Sequence, residues 1–363
     1  MTEMAPHTEE ELADIIRTAE GPLAIGGGGT RYRHDVGATL TTKRMSGIQT
    51  YEAGALTLVV KAGTRLTEIE ELLAQNGQML AFEPPRWSDS STIGGVIATN
   101  ASGSRRFQVG AARDFLLGVR FVDGRGTILK NGGRVMKNVT GYDLVKLLAG
   151  SWGTLGVLSE VALKTLPLPE ETATLCIPVE DASQAVQALS LAMKSPYDVT
   201  GAAYTPQETH AMLRIEGFPK SVSYRTKALG DWLKAFAAPT VLTGAEARGV
   251  WTKLRDCDAL EGKEGVLWRV SCKPTDGPAV AKALRAKDWI MDWSGGLIHA
   301  RLPTEVDPRN ALASFQCHAT CLSRTPTTFA KFHPEPDLVA NYSKSIRDQF
   351  DPRGILNQGV MGA

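Results

Sequence analysis

Four consecutive glycines, Gly26, Gly27, Gly28 and Gly29, followed by Thr30, are the sharpest chemical feature of the chain. With no Cβ between backbone and neighbour, their N–H groups can converge on an anion, as in phosphate-binding nests. The dinucleotide fingerprint G-x-G-x-x-G fails, because Arg31 stands where its third glycine belongs. The P-loop pattern fails for want of a following Lys-Ser/Thr pair, and no clear helix follows, as a Rossmann turn requires. The loop reads as a phosphate cradle of another kind, or as a tight turn.

A second segment, from Ser90 through Ser91, Thr92, Gly94, Gly95, Thr99 and Asn100 to Gly103, gathers small residues, hydroxyls and an amide. It suits close approach to a ligand; it also suits a small-residue helix buried against a sheet. A third, Gly150-Ser-Trp-Gly-Thr-Leu-Gly156-Val157, misses the dinucleotide fingerprint by one residue and enters a strand. Two separate Gly/hydroxyl segments in one domain suit a long ligand with two phosphates better than a small metabolite. Arg105, Arg106 and Arg113 could meet phosphate or a substrate carboxylate, or serve as solvated charge or a domain salt bridge. Cys317-His318-x-x-Cys321 is the only tight Cys/His cluster; it lacks the second pair of a structural zinc site, and the thiols are too scattered for an iron–sulfur cluster. We therefore expect no metal. Trp251, Trp268, Trp289 and Trp293 are expected mostly in the core, some at a partner face.

The elements that position these residues follow from periodicity. Thr8 and Glu11 have capping-box spacing ahead of Leu12, Ile15, Ile16 and Ala19, which form one helical face. Residues 22–25 form a short strand into the glycines, 56–61 a β-branched strand, and 64–76 a helix closed by Gly77. Residues 79–82 read as a strand, 116–123 and 127–130 as a hairpin, 143–149 as a short helix and 156–166 as a long strand. Pro167-Leu-Pro169 marks a boundary. Beyond it strands are expected at 172–179, 199–204 and 211–216, with helices at 181–193 and 221–236. A second run repeats that order: strands at 265–272, 289–293 and 296–302, helices at 277–286 and 308–315. Two such runs predict an antiparallel sheet with helices on one face. A helix at 337–350 opens the tail.

Composition narrows the classes. The 363 residues suit two domains, and 40 Lys+Arg against 39 Asp+Glu leave no global field for nucleic acid or an anionic membrane. Five cysteines, an odd count, suggest reduced thiols in the cytoplasm. The N-terminal stretch lacks the basic and apolar regions of a secretory signal, and no apolar run is long enough to span a bilayer.

The three glycine segments, in this order, resemble the FAD-binding domain of the vanillyl-alcohol oxidase/p-cresol methylhydroxylase (PCMH-type) superfamily. The likeness extends through residues 62–66, 78–85, Arg113-Asp114, Leu117-Gly118, 136–143 and 350–357. Within it the chain most resembles the small FAD-binding subunit of glycolate oxidase, on Phe82-Glu-Pro-Pro85 and Lys137-Asn-Val-Thr-Gly-Tyr-Asp143 above all. The resemblance implies an α+β fold: a PCMH-type FAD domain of two α+β lobes at 1–168, an α/β cap with an antiparallel sheet in ferredoxin-like order at 169–333, and a tail at 334–363 returning to the FAD domain. It implies that Gly26, Gly27, Gly28, Gly29 and Thr30 wrap the FAD pyrophosphate, and that Ser91, Thr92, Gly94, Gly95, Thr99 and Asn100 hold the phosphates and ribityl chain. Gly103 and Arg105 would lie near the flavin, Gly156 and Val157 on the adenine side, and Asn357 near the isoalloxazine. His34 could form a flavin-proximal hydrogen bond or stand at the surface.

Two departures qualify that likeness. Covalent relatives attach FAD through a His in the glycine loop or a Cys in the second segment, which here read GGGGT and ATNASG, so FAD is expected to be non-covalent. Hydroxy-acid-oxidising relatives carry a His-x-His motif, where this chain has His299-Ala-Arg301. The expected function is an FAD subunit of a glycolate oxidase-type complex that converts a small 2-hydroxy acid to the 2-oxo acid. A larger flavin subunit and an Fe–S subunit would be its partners. It would be cytoplasmic, with attachment at the inner membrane only through partners. The alternatives are a self-sufficient FAD-linked oxidoreductase and a non-catalytic flavin-fold scaffold. No catalytic side chain is assigned.

Overall fold

The computed structural model describes residues 3–31, 37–134, 141–323 and 327–362. His34 and residues 136–140 of the Met136–Asp143 string lie outside the described residues. The chain divides into two units: Met1–Ser102 with Gly110–Leu168 and Pro334–Ala363, and Gly103–Val109 with Pro169–His333.

The first unit begins with the helix Glu9–Thr18, whose N-cap Thr8 accepts the Glu11 N–H at 3.1 Å while the Glu11 carboxylate takes the His7 N–H at 2.7 Å. Its buried face, Leu12, Ala13 and Ile16, packs with Leu23, Leu40, Val122, Val157 and Leu356. The strand Leu23–Gly26 pairs in parallel with Ala38–Thr41, register Leu23 to Ala38. A five-stranded antiparallel sheet runs in the order Ile48–Glu52, Thr57–Lys61, Val157–Lys164, Leu116–Val122, Ile128–Gly132. Val157–Lys164 sits at its centre, which is why six of its eight residues are buried. The short helices Leu66–Gln75, Ile93–Ala98 and Leu144–Leu148 complete the unit.

The tail closes it. Leu356 bridges to Leu23, and the Arg353 guanidinium donates to the Ile16, Arg17 and Ala19 carbonyls at the end of the first helix and to Gly124. One cation thus answers the otherwise unpaired carbonyls of a helix C-terminus.

The second unit is an eight-stranded antiparallel sheet in the order Thr240–Thr243, Glu171–Pro178, His210–Gly217, Gly201–Thr205, Asp288–Asp292, Leu297–Leu302, Val266–Cys272, Cys317–Cys321. Helices Ala182–Met193, Pro219–Trp232 and Gly277–Leu284 bury their apolar sides on one face. Three expectations need correction here. The helix Gly244–Asp256 lies on the other face, with Trp251 against Ala203 and Met212, so helices are not confined to one side. Residues 308–315 form turns, not a helix, since Pro308 and Asn310 break the pattern before enough apolar positions recur; the unexpected edge strand Cys317–Cys321 follows. In the first unit the strand expected at 79–82 shrinks to Gln78–Met79, halted by a turn ahead of the two prolines. Among the described residues no helix is long and apolar enough to cross a membrane.

Glu9 joins the first helix to the central sheet: Arg120 and Ser159 both donate to its carboxylate. Burial alone would raise this carboxyl, but those hydrogen bonds and the charges of Arg120 and Lys61 hold it below its ordinary 4.5. A depressed carboxyl stabilises the fold above its unfolded value, and the gain is lost as pH falls through the folded value. Glu9→Gln should therefore cost about 1–2 kcal/mol at pH 7. The gap in urea midpoint between variant and parent should close below pH 4.5.

Candidate functional site

The glycine loop leaves the parallel strand pair and runs directly against the segment before the Ile93–Ala98 helix. A Cβ on Gly28 would sit 1.6 Å from the Ser90 carbonyl oxygen, and one on Gly27 would sit 2.2 Å from Thr92 Oγ1. Gly28 is required by contact with the Ser90 backbone and Gly27 by contact with the Thr92 side chain. Gly26 and Gly29 differ: a Cβ there meets nothing within 4 Å, and Gly29 has φ +66°.

The loop's carbonyls are turned into the protein. Gly26 accepts from the Thr42 N–H at 3.1 Å, Gly27 from Thr41 Oγ1 at 3.4 Å and Gly28 from Ser90 Oγ at 3.1 Å. Among the described residues nothing accepts from the N–H groups of Gly27, Gly28 and Gly29. Three successive N–H groups without a protein acceptor make an anion nest.

Thr92 caps the Ile93–Ala98 helix, accepting the Gly95 N–H at 3.3 Å. Gly94 has no Cβ because Ala62 occupies that space, its carbonyl oxygen 2.7 Å from where the Cβ would be. The second segment is therefore a small-residue helix packed on a strand, and it is also a wall of the cleft: the two readings of that sequence coincide. Thr99 Oγ1 donates to the Gly95 carbonyl at 2.8 Å.

Gly26 to Thr30, Thr92, Gly94, Gly95, Thr99, Gly156, Val157 and Asn357 line one cleft, with about 690 Å³ of empty space counting its open mouth. Ser91 is buried and its Oγ lies 3.0 Å from Thr30 Oγ1, so it steadies the loop. Asn100, at φ +48°, accepts the Arg113 N–H at 3.0 Å and does not line the cleft. Gly103 and Arg105 belong to the second unit, where the Gly103 carbonyl accepts from Trp293 Nε1 and Arg105 is buried in an ion pair with Glu216 at 2.8 Å.

Asn357 works as a strand residue made from a side chain. Its Oδ1 accepts the Ile25 N–H at 2.7 Å, and its Nδ2 donates to the Ile25 carbonyl at 3.3 Å and to the Trp152 carbonyl at 2.8 Å. The amide's hydrogen bonds fasten the strand that launches the glycine loop to the turn before Gly156.

Sequence reasoning missed Arg31. It is 5% exposed, lines the cleft, and donates to Thr30 Oγ1, Ser91 Oγ and the Pro85 carbonyl. The signal was its place at the third glycine of the failed fingerprint: a cation stands there instead. Trp152, Gly153 and Thr42 also line the cleft without having been singled out. The Cys317–Cys321 strand points Cys317 and Cys321 toward the apolar core and His318 to the other, exposed side, so that cluster does not converge.

Comparison with known proteins bears on this cleft. Residues 3–132 match the family model described as an FAD binding domain. The chain is 33% identical over 350 residues to glycolate oxidase subunit GlcE of Escherichia coli (strain K12), covering 94% of this chain and 93% of that protein. It is 32% identical over 192 residues to a D-lactate dehydrogenase of Archaeoglobus fulgidus, covering 50% of this chain and 43% of that protein. It is 32% identical over 197 residues to glycolate oxidase subunit GlcD of Bacillus subtilis (strain 168), covering 52% of this chain and 41% of that protein. The chain thus spans less than half the length of those last two. An alkyldihydroxyacetonephosphate synthase structure shares the fold at a TM-score of 0.74 and 18% identity, covering 98% of this chain and 76% of that one.

The cleft fits FAD on its own geometry. A diphosphate needs convergent N–H donors and a nearby cation, and Gly27–Gly29 and Arg31 supply both. Gly26→Ala places a methyl in open cleft space, so it should lower the flavin absorbance per protein with no loss of melting temperature. Gly28→Ala must push the loop off Ser90, so it should lose both flavin and roughly 2 kcal/mol or more of stability. Asn357→Ala removes the hydrogen bonds of a buried amide and should cost about 2–4 kcal/mol, read by urea unfolding.

Proposed function

The chain belongs to the family of FAD-binding oxidoreductases that includes glycolate oxidase subunit GlcE, and from that premise we propose that it is the FAD-holding subunit of a glycolate oxidase-type complex. That complex removes two electrons and two protons from glycolate, or a related 2-hydroxy acid, to give the 2-oxo acid. An iron–sulfur partner or a quinone takes the electrons. The observation that carries this reading is the glycine cleft in a chain that aligns with nearly the whole of a glycolate oxidase subunit.

Bound FAD supplies the chemistry of a carrier that accepts an electron pair and releases single electrons. The chain's own part is position and electrostatics. The N–H groups of Gly27, Gly28 and Gly29 would hold the pyrophosphate, and contact of Gly27 with Thr92 and of Gly28 with Ser90 sets the loop beforehand. Arg31, held by Thr30, Ser91 and Pro85, would add a cation that cannot swing away. Gly95, Thr99 and Val157 line the same cleft and would flank the rest of the cofactor. We assign a non-covalent attachment, since neither glycine segment offers the His or Cys through which covalent relatives bond. We assign oxidation of the hydroxy acid to a companion flavin subunit, because His299-Ala-Arg301 lacks the paired histidines of hydroxy-acid-oxidising relatives.

The test is purification of the tagged chain from its native host. A yellow assembly with a second flavin subunit and an iron–sulfur subunit is expected, reducing an artificial dye with glycolate. A colourless chain that releases no FAD on heating, or an assembly inert to every 2-hydroxy acid, would sink the proposal. Dye reduction by the isolated chain at the rate of the assembly would make it self-sufficient instead.

A further inference from the structure

The five cysteines are all free thiols, and two of them meet. Cys272 ends the strand Val266–Cys272, and Cys317 opens the edge strand Cys317–Cys321. The two strands are antiparallel neighbours, and their register sets Cys272 directly opposite Cys317. The other three face no cysteine across the sheet. Cys321 stands across from Trp268, Cys176 across from Met212 and Thr240, and Cys257 lies in the turn after the helix Gly244–Asp256.

Opposed residues on antiparallel strands come in two kinds, and the backbone hydrogen bonds tell which kind this is. A pair that exchanges N–H···O bonds holds its Cα atoms about 5.5 Å apart, and a pair that does not brings them to about 4.5 Å with the side chains closer. The Cys272 N–H goes to the Gly296 carbonyl at 3.0 Å, just ahead of the strand Leu297–Leu302 on the other side. The Cys317 N–H goes to the Phe315 carbonyl at 3.0 Å. The rest of the edge strand keeps the same alternation. The Ala319 N–H donates to His333 Nδ1 at 3.2 Å and the Cys321 N–H to the Lys331 carbonyl at 2.8 Å, neither of them on the strand Val266–Cys272. Cys272 and Cys317 are therefore the closer kind of pair. A disulfide spans Cα atoms about 4.4–6.8 Å apart, so the backbone already stands within its window.

The two side chains also share a face. Trp268, Val270, Ala319 and Cys321 are buried in the apolar core, and Cys272 and Cys317 continue that alternation and pack against it. Each thiol makes only a weak hydrogen bond, Cys272 Sγ to the Gly295 carbonyl at 3.6 Å and Cys317 Sγ to the Leu312 carbonyl at 3.9 Å. Both residues are half-buried, which leaves a small oxidant a way in. Burial above all, then Cys317 and Asp276, push the Cys272 thiol up to about 12, and burial pushes the Cys317 thiol up as well. Neither is a standing thiolate, so their reaction with each other rests on being neighbours and runs slowly at neutral pH.

We propose that Cys272 and Cys317 are a disulfide-forming pair, oxidised by a low-molecular-weight disulfide such as glutathione disulfide. Cys317, on the edge strand, reacts first. Its sulfur bonds to one glutathione sulfur, the glutathione S–S bond breaks, and one glutathione leaves. The Cys272 sulfur then bonds to that of Cys317 and displaces the second glutathione. Two protein thiols are oxidised, one glutathione disulfide is reduced to two thiols, and the two protein protons pass to them. The bond ties down a strand that has a neighbouring strand on one side only. In a reducing cytoplasm the pair rests as thiols. The assignment is independent of the function proposed above.

The test uses the full-length, flavin-loaded chain equilibrated in glutathione buffers from fully reduced to fully oxidised. Free thiols are blocked with N-ethylmaleimide, and disulfides are mapped by peptide mass. One link, Cys272 to Cys317, should form while Cys176, Cys257 and Cys321 are still thiols. It should raise the melting temperature by several degrees over the reduced chain, with flavin content unchanged. Cys321→Ser should keep both the link and the rise. Cys272→Ser and Cys317→Ser should show no rise on oxidation, and the cysteine left behind should carry a mixed disulfide with glutathione that one reducing step removes. If one of these two variants does not fold, the other carries the comparison. Lasting mixed disulfides in the parent with no link, a link between any other two cysteines, or a Cys272–Cys317 link that lowers the melting temperature would each overturn the proposal.

Discussion

The contact of Gly27 and Gly28 with the Ser90–Thr92 segment is the constraint on which the cofactor cleft depends. Gly27 packs on the Thr92 side chain, and Gly28 touches the Ser90 backbone so closely that a single methyl at position 28 would overlap a carbonyl oxygen. That closeness does two things at once. It turns the loop's carbonyls toward protein donors, and among the described residues it leaves the N–H groups of Gly27–Gly29 without protein acceptors. A nest made this way is rigid before any ligand arrives, so little of the binding energy is spent on ordering it.

The contact holds only if the strand leading into the loop is fixed, and the C-terminal tail fixes it. Asn357 replaces a missing neighbouring strand for Ile25 with its side-chain amide, and Arg353 ties the end of the first helix to the turn at Gly124. A segment at the far end of the sequence thus completes the secondary structure of a segment near its start. The amide geometry explains the residue type: only Asn or Gln offers a donor and an acceptor side by side, as a peptide group does, and the shorter side chain matches this reach.

The second unit shows the same chemistry resolved in two ways. Glu216 pairs with both Arg105 and Arg214 inside the protein, which makes that cluster structural. Among the described residues Arg269 has no such partner, and its neighbours include another arginine and a neutral histidine. The difference lies in what one strand position supplies: an acidic residue between arginines in the first case, an imidazole in the second.

The sequence by itself determined the class of the protein. The glycine run, the hydroxyl-rich second segment and the alternation of the strands are local signals, and local signals are what sequence periodicity carries. The antiparallel sheet of the second unit and the helices Glu9–Thr18, Leu66–Gln75, Ala182–Met193, Pro219–Trp232 and Asp337–Phe350 were legible for that reason, the FAD domain was legible through the resemblance its glycine segments carry, and the helix Gly244–Asp256 was not expected. Where local pattern was weak, the reading failed: residues 308–315 had apolar spacing but too little of it, and the edge strand Cys317–Cys321 is specified by pairing with Val266–Cys272 more than by its own residues. The tertiary structure alone decided the roles of single side chains. Arg31 became part of the cleft because Pro85 and Ser91 fold over it, Arg105 is buried in an ion pair with Glu216, and Asn357 became a backbone substitute because Ile25 lacks a neighbour there. Each of these depends on partners tens to hundreds of residues away, and no local propensity encodes which distant group will complete a hydrogen bond.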